Sequence, residues 1–215
     1  MLDTRFPRPL GDIGNPASWP IPTLLKVVPR LAPGVVVQSA AGLRASGVLP
    51  QLQAALLALE EAGCEVLTTS CGFLVLLQQE LQAALKVPLV SSSLLQLPAL
   101  LARERRVGVL TISAAHLGEE HLLAAGVPRE RLGDVVVQGV DPQGEFARPI
   151  LGNDTRMDLE QAGADVAAAA VELKRRAPDL RTVVLECTNM PPYAQQLAEA
   201  TGLRPLSLRD SIIVP

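Results

Sequence analysis

Short β-branched runs alternate along this chain with leucine-rich stretches of helical period. Val35–Gln38, Val66–Thr69, Val87–Val90, Val107–Ile112, Val135–Gln138 and Thr182–Leu185 read as strands. Between them, Leu49, Leu52, Leu56 and Leu59 keep the 3-4-3 spacing of one helix face and stop at Gly63; Leu74, Leu77, Leu81 and Leu85 repeat the device. A third helix starts at Asp158, with Gln161 in the capping-box position, runs through Leu159, Ala162, Val166 and Leu173, and stops before Pro178. A fourth opens at Pro191-Pro192, where a first turn tolerates missing donors, and carries Tyr193, Leu197 and Ala200 as its apolar stripe. Strand–helix alternation of this kind predicts an α/β fold with mainly parallel sheets flanked by helices.

Two stretches break the pattern. The first 34 residues hold seven of the eighteen prolines, so beyond a short strand near Leu10 and a tight turn over residues 11–16 they read as loop. Residues 140–157 contain Pro142, Gly144, Pro149 and Gly152 and read as a long irregular connection, either a substrate lid or a plain surface loop. At 215 residues, roughly 70% of the unfolded surface can be buried, so a core needs no covalent staples. That core is aliphatic: there are one Trp, one Tyr and three Phe, too few for the stacking platforms that bind single strands. A net charge of −3, with no basic run longer than Lys174-Arg175-Arg176, argues against nucleic acid as a partner. No apolar stretch reaches membrane-spanning length, and Asp3, Arg5 and Arg8 stand where a secretory signal needs an apolar block, so the expected location is cytoplasmic, with no membrane partner.

Three cysteines, Cys64, Cys71 and Cys187, form no CxxC pair, and with only His116 and His121 beside them no metal-ligand spacing emerges. Two of them occupy matching places. Val66–Thr69 leads through Ser70 into Cys71 and a helix; Thr182–Leu185 leads through Glu186 into Cys187 and another. Each thiol thus stands at the carboxyl end of a strand, where open α/β sheets bind ligands. A helix N-terminus offers free N–H groups and partial positive charge, so these thiols are expected to ionise below their free value of about 8.5. The same N–H groups hold carboxylates, with Thr69 and Ser70, and Thr188 and Asn189, as added donors. Two opposed thiols around one small carboxylate would take a proton from one face of its α-carbon and return one to the other, which inverts the centre without metal or organic cofactor.

The runs Thr68-Thr69-Ser70-Cys71-Gly72-Phe73 and Leu185-Glu186-Cys187-Thr188-Asn189-Met190-Pro191 resemble the two cysteine motifs of the cofactor-independent aspartate/glutamate racemase superfamily, and Leu10-Gly11-Asp12-Ile13-Gly14 is similar to its first strand and glycine turn. The resemblance implies two similar Rossmann-like lobes related by a pseudo-twofold axis, a site in the cleft between them, and a homodimer. One lobe would span 1–105 with Cys71, completed by 206–215; the other, 106–205, carries Cys187. It implies catalytic Cys71 and Cys187, no cofactor, and a small carboxylate substrate. Relatives contact the substrate with Asn-Thr after the first cysteine, where this chain has Gly72 and Phe73; glutamate racemases have His where this chain has Asn189. The substrate-binding set is therefore Asn15, Ser70, Gly72, Phe73, Ser92, Thr188 and Asn189. Asn15 has an Asn-Pro turn as its plain alternative, and Ser92, in the run Ser91–Ser93, has helix capping. Cys64, at a helix-to-strand turn, is read as packing; His116 faces either the cleft or the next helix, and His121 the solvent. The leading function is a racemase or epimerase of an amino-acid-like carboxylate. The alternatives are a maleate isomerase-, hydantoin racemase- or arylmalonate decarboxylase-like enzyme, or a non-catalytic carboxylate-binding protein.

Overall fold

The computed structural model describes residues 1–212. Among the described residues, six strands form two all-parallel sheets. β1 (Leu67–Thr68) pairs with β2 (Leu89–Val90); β3 (Val107–Thr111), β4 (Val135–Gly139), β5 (Thr182–Leu185) and β6 (Arg204–Leu206) make the second sheet, in the order β4-β3-β5-β6. Every residue of β3 and β5 is buried, as an inner parallel strand covered on both faces requires. Helices at Glu119–Ala124, Leu159–Arg176 and Ala194–Thr201 make the crossovers of this sheet.

The helix Leu159–Arg176 turns Ala162, Val166, Ala169, Ala170 and Leu173 inward, and Lys174, Arg175 and Arg176 face its exposed carbonyl end. Its cap is one-sided. The Asp158 carboxylate accepts from Glu160 N and Gln161 N, while the Gln161 side chain donates forward to Asp165 instead of back to the cap. Among the described residues, no helix is long and apolar enough to cross a membrane.

Several expected elements differ. Val35–Gln38 is no strand: Pro33 at the first helical position starts a short helix, Pro33–Val36, and the chain then bends. Leu10 lies in a turn, with Gly11 at φ 101°, and the preceding segment pairs with no strand. The run at Leu74–Leu85 splits into a 3₁₀ helix, Gly72–Leu77, and an α-helix, Gln78–Gln82. Residues 140–157 contain a helix, Ala147–Gly152, whose Ala147 and Ile150 belong to the core together with Phe146, its N-cap. Ala200 is exposed, leaving Tyr193 and Leu197 as the buried positions of the last crossover. At the C-terminal end, Gln96 Nε2 donates to the Ser207 carbonyl and ties that segment to residues 93–96; positions 213–215 of the expected 206–215 segment lie outside the described residues.

Candidate active site

The two cysteine segments meet. A cavity is lined by Ser70, Cys71, Gly72 and Phe73 on one side and by Glu186, Cys187, Thr188 and Asn189 on the other. Leu2, Phe6, Pro33, Val37, Ile112 and Ile150 supply an apolar wall, and Thr4 and Arg8 come in from the N-terminal segment. β1 and β5 lead into this cavity, with Cys71 three residues past the end of β1 and Cys187 two past the end of β5. Both are buried, Cys71 at 8% and Cys187 at 6% exposure.

Hydrogen bonds lock the segments together. Thr188 Oγ1 donates to the Ser70 carbonyl at 2.8 Å, and the Ser70 hydroxyl accepts from Leu2 N at 2.9 Å. Thr69 Oγ1 donates to the Ser91 carbonyl and accepts from Cys71 N. The Cys187 thiol donates to Asn189 Oδ1 at 3.6 Å, and Asn189 Nδ2 donates to Asp12 Oδ2 at 2.7 Å. Asp12, 1% exposed, also accepts from Gly14 N and from the Arg8 guanidinium at 2.6 Å. Arg8 is steadied further by Thr4 and by the Phe6 ring 4.7 Å away. Thr188 and Asn189 therefore stand at the cavity chiefly as braces, each donating a hydrogen bond away from it, while the Ser70 hydroxyl accepts from the backbone.

Two expected contacts stand apart from the cavity wall. Asn15 accepts from Ala17 N and donates to the Arg8 carbonyl, and Ser92 caps the 3₁₀ helix Ser93–Gln96 by accepting from Leu94 N; both follow their plainer reading. His116 is exposed and bonded to Ser113. His121 is not on the solvent side: it is 1% exposed, its ring edge-on to Phe73 at 5.0 Å.

The expected acidic thiols are also corrected. Burial first, and the Glu186 charge second, raise both Cys71 and Cys187 above the ordinary thiol range, against small opposing contributions from the Phe73 and Asn189 backbone N–H groups. The magnitudes explain the outcome. A helix terminus contributes about 0.3–1 kcal/mol, less than one pKa unit, whereas full burial shifts a group by up to about 3–5 units. The helix after Cys71 is a six-residue 3₁₀ turn, and Cys187 precedes a turn before Pro191–Tyr193.

Arg8, Asp12 and Glu186 escaped the sequence reading. The i,i+4 spacing of Arg8 and Asp12 is a weak signal, and Glu186 is the charged residue at the end of an otherwise apolar strand. Its carboxyl, 1% exposed, accepts from Thr111 Oγ1 at 2.7 Å and is pushed up to about 7 by burial. A Cβ on Gly72 would stand 2.4 Å from both the Glu186 carbonyl oxygen and Oε1, so only glycine admits this approach.

A stability signature follows. Between its ordinary 4.5 and about 7, Glu186 keeps its proton in the folded chain and has lost it in the unfolded one, so native stability falls as pH rises through that window. E186Q removes this cost. The Tm difference between E186Q and wild type is expected to move in favour of the variant from about pH 5 to about pH 8; a constant difference contradicts the assignment. His121, lowered to about 4 by burial, gives the opposite slope between about 4 and 6.5, but equally in both proteins.

A family model described as Asp/Glu/Hydantoin racemase matches residues 35–211. A dimethylsulfoniopropionate lyase from Durusdinium sp. clade D is 28% identical over 209 residues, covering 94% of this chain and 67% of that protein. Dimethylsulfoniopropionate lyase 7 of Emiliania huxleyi (strain CCMP1516) is 27% identical over 212 residues, covering 94% and 60%. The chain thus spans about two-thirds or less of the length of these curated relatives. Among solved structures, arylmalonate decarboxylase superposes with a TM-score of 0.56 at 16% identity, covering 89% of this chain and 78% of that one. Allantoin racemase from Klebsiella pneumoniae gives 0.52 at 17%, covering 90% and 73%. Likeness at these identities is a likeness of fold.

Proposed function

Because the chain belongs to the Asp/Glu/Hydantoin racemase family, we propose that it moves the proton α to the carboxylate of a small acid between Cys71 and Cys187 and so inverts that carbon. The observation that carries this reading is the placement of both thiols on one cavity. One sulfur, as thiolate, accepts the α-proton; the other donates its own to the opposite face; the two exchange roles at each turnover. Arg8 is suited to receive the substrate carboxylate. Of its five N–H donors, one is engaged by Asp12 and two by Thr4, which leaves two for a ligand. The apolar wall of Leu2, Phe6, Val37 and Ile150 favours a substrate whose remaining group is uncharged.

The lyase names of the relatives favour a second reading. Removal of an α-proton also starts a β-elimination: the electron pair of the C–H bond forms a double bond and the β-substituent leaves with its own pair, which calls on one thiol alone. The test is a panel of small carboxylic acids in deuterated water, followed by proton NMR and chiral separation. Inverted acid bearing α-deuterium is expected. An unsaturated acid together with a released β-group moves the chain to the second reading, and neither product from any acid overturns both.

A further inference from the structure

The two thiols are alike in most of what surrounds them. Both are buried, both feel the Glu186 charge, and each sulfur faces one backbone donor, the Phe73 N–H at Cys71 and the Asn189 N–H at Cys187. They differ in one contact. Asn189 Oδ1 stands 3.6 Å from the Cys187 sulfur, whereas among the described residues the Cys71 sulfur meets no side-chain hydrogen-bond partner. The orientation of that amide is fixed from behind. Asp12 Oδ2 lies 2.7 Å from the Asn189 side chain, and a carboxylate oxygen only accepts, so Nδ2 must face Asp12 and Oδ1 must face the sulfur. Asp12 is itself held: its Oδ1 accepts from Gly14 N at 2.7 Å and from Arg8 at 2.6 Å. An oxygen placed this way accepts from S–H but opposes the lone pairs of a thiolate, and the Asp12 charge behind it acts in the same direction. The titratable or charged groups around the Cys187 sulfur are Glu186 on its own segment, Cys71 across the cavity, and Asp12 with its partner Arg8 from the N-terminal segment; Tyr193, in the turn that follows, feels the same Asp12 charge.

We propose that Asn189, its amide held in one orientation by Asp12, keeps the proton on Cys187, so that the unliganded protein offers Cys71 as the base and Cys187 as the acid. Burial makes both thiols weakly acidic, and the lock decides which sulfur ionises first. Cys71, as thiolate, takes the α-proton while the C–H electron pair stays on the substrate; the Cys187 proton goes to the opposite face, and the S–H pair stays on sulfur. The enantiomer whose α-hydrogen points at Cys71 therefore meets the protein in its resting protonation state, and the other requires a proton to pass from Cys187 to Cys71 first. Asn189 and Asp12 act through the sulfur and are positioning residues. Their part in turnover rests on the two-thiol reading above, but their effect on the sulfurs is measurable without substrate.

The experiment is the rate of iodoacetamide alkylation at each cysteine from about pH 7 to about pH 9, resolved by peptide mass spectrometry, in wild type, N189L, D12N and D12N/N189L. Half-buried Cys64 serves as the internal reference. In wild type, Cys71 is expected to react at least about tenfold faster than Cys187, although the two are almost equally buried. D12N reverses the amide. Two donors keep an oxygen at the Oδ1 position of residue 12, so the new NH2 group faces residue 189, whose Oδ1 must turn toward it and whose Nδ2 then donates to the sulfur. Cys187 in D12N is expected to react at least about tenfold faster than in wild type, with Cys71 little changed. Loss of the Asp12 charge or a looser cavity would also speed Cys187, but equally in the N189L background; there D12N is expected to change the rate by less than about threefold. An equal effect of D12N in both backgrounds, or a wild-type Cys187 at least as reactive as Cys71, overturns the proposal. Should D12N fail to fold, N189L decides: faster reaction at Cys187 alone supports the lock, and an unchanged rate or an equal rise at both sites overturns it. If both thiols are silent in wild type, reaction of Cys187 in D12N, faster than in D12N/N189L, supports it, and silence in all four proteins overturns it. Inversion of an acid without this asymmetry sinks the lock alone; the asymmetry without turnover of any acid leaves the lock and removes the two-thiol function.

Discussion

Replacing either Cys71 or Cys187 by serine is expected to lower kcat for inversion by about 10³-fold, within the range assigned to one positioned acid or base. Serine keeps the shape of the side chain but not its chemistry: a hydroxyl neither ionises in a buried cavity nor carries diffuse charge as sulfur does. The two losses should be similar, because every turnover in either direction uses both groups. Thermal unfolding should stay close to wild type, since the thiols contribute one sulfur-donated hydrogen bond between them, from Cys187 to Asn189. The check is steady-state kinetics from both enantiomers with parallel melting curves. A tolerated substitution at one position would move the chain to one-thiol chemistry, as the elimination reading requires.

The largest stability effect is expected at Asp12. Its carboxylate accepts from Arg8, Gly14 and Asn189 while 1% exposed, and its partner Arg8 is itself largely buried, at 12% side-chain exposure. D12A strands the guanidinium and two further donors, and breaking a buried pair from one side costs about 3–5 kcal/mol. For a chain of this length that is a fall in Tm of about 10 °C. Activity should fall with it, because Asp12 holds Arg8 against the cavity and Asn189 against Cys187. Urea unfolding of D12A reads the effect; a loss below about 1 kcal/mol would show that the pair behaves as a surface pair.

The inner strands were legible because their signal is local. Val107–Ile112 and Thr182–Leu185 lie within a residue of β3 and β5, since a strand covered on both faces must be largely apolar, and the β-branched run Val135–Gln138 lies within a residue of the edge strand β4. Asp158 announced the long helix for a similar reason: a cap is made by neighbours in sequence. Val35–Gln38 misled because β-branched residues fit either state, and Pro33 together with the lack of a pairing strand decided for helix. The site shows the same division. The mirrored strand–cysteine junctions were visible in the chain, and so were Ser70, Gly72, Phe73, Thr188 and Asn189 beside them. Glu186 was not, because its burial depends on the missing side chain of Gly72, remote in sequence. Arg8 entered the cavity from a proline-rich stretch with no regular structure to predict its course. The direction of the thiol shift was missed because burial, a property of the whole fold, outweighs the terminus of a short helix.

The two-sided transfer itself is tested by where deuterium goes in the first fraction of turnover. With a single enantiomer in deuterated water, opposed thiols predict that the inverted product carries one solvent deuterium at the α-carbon while the recovered starting enantiomer keeps its original hydrogen. Deuterium entering the recovered enantiomer as fast as the product would mean that one base serves both faces, and would contradict the arrangement.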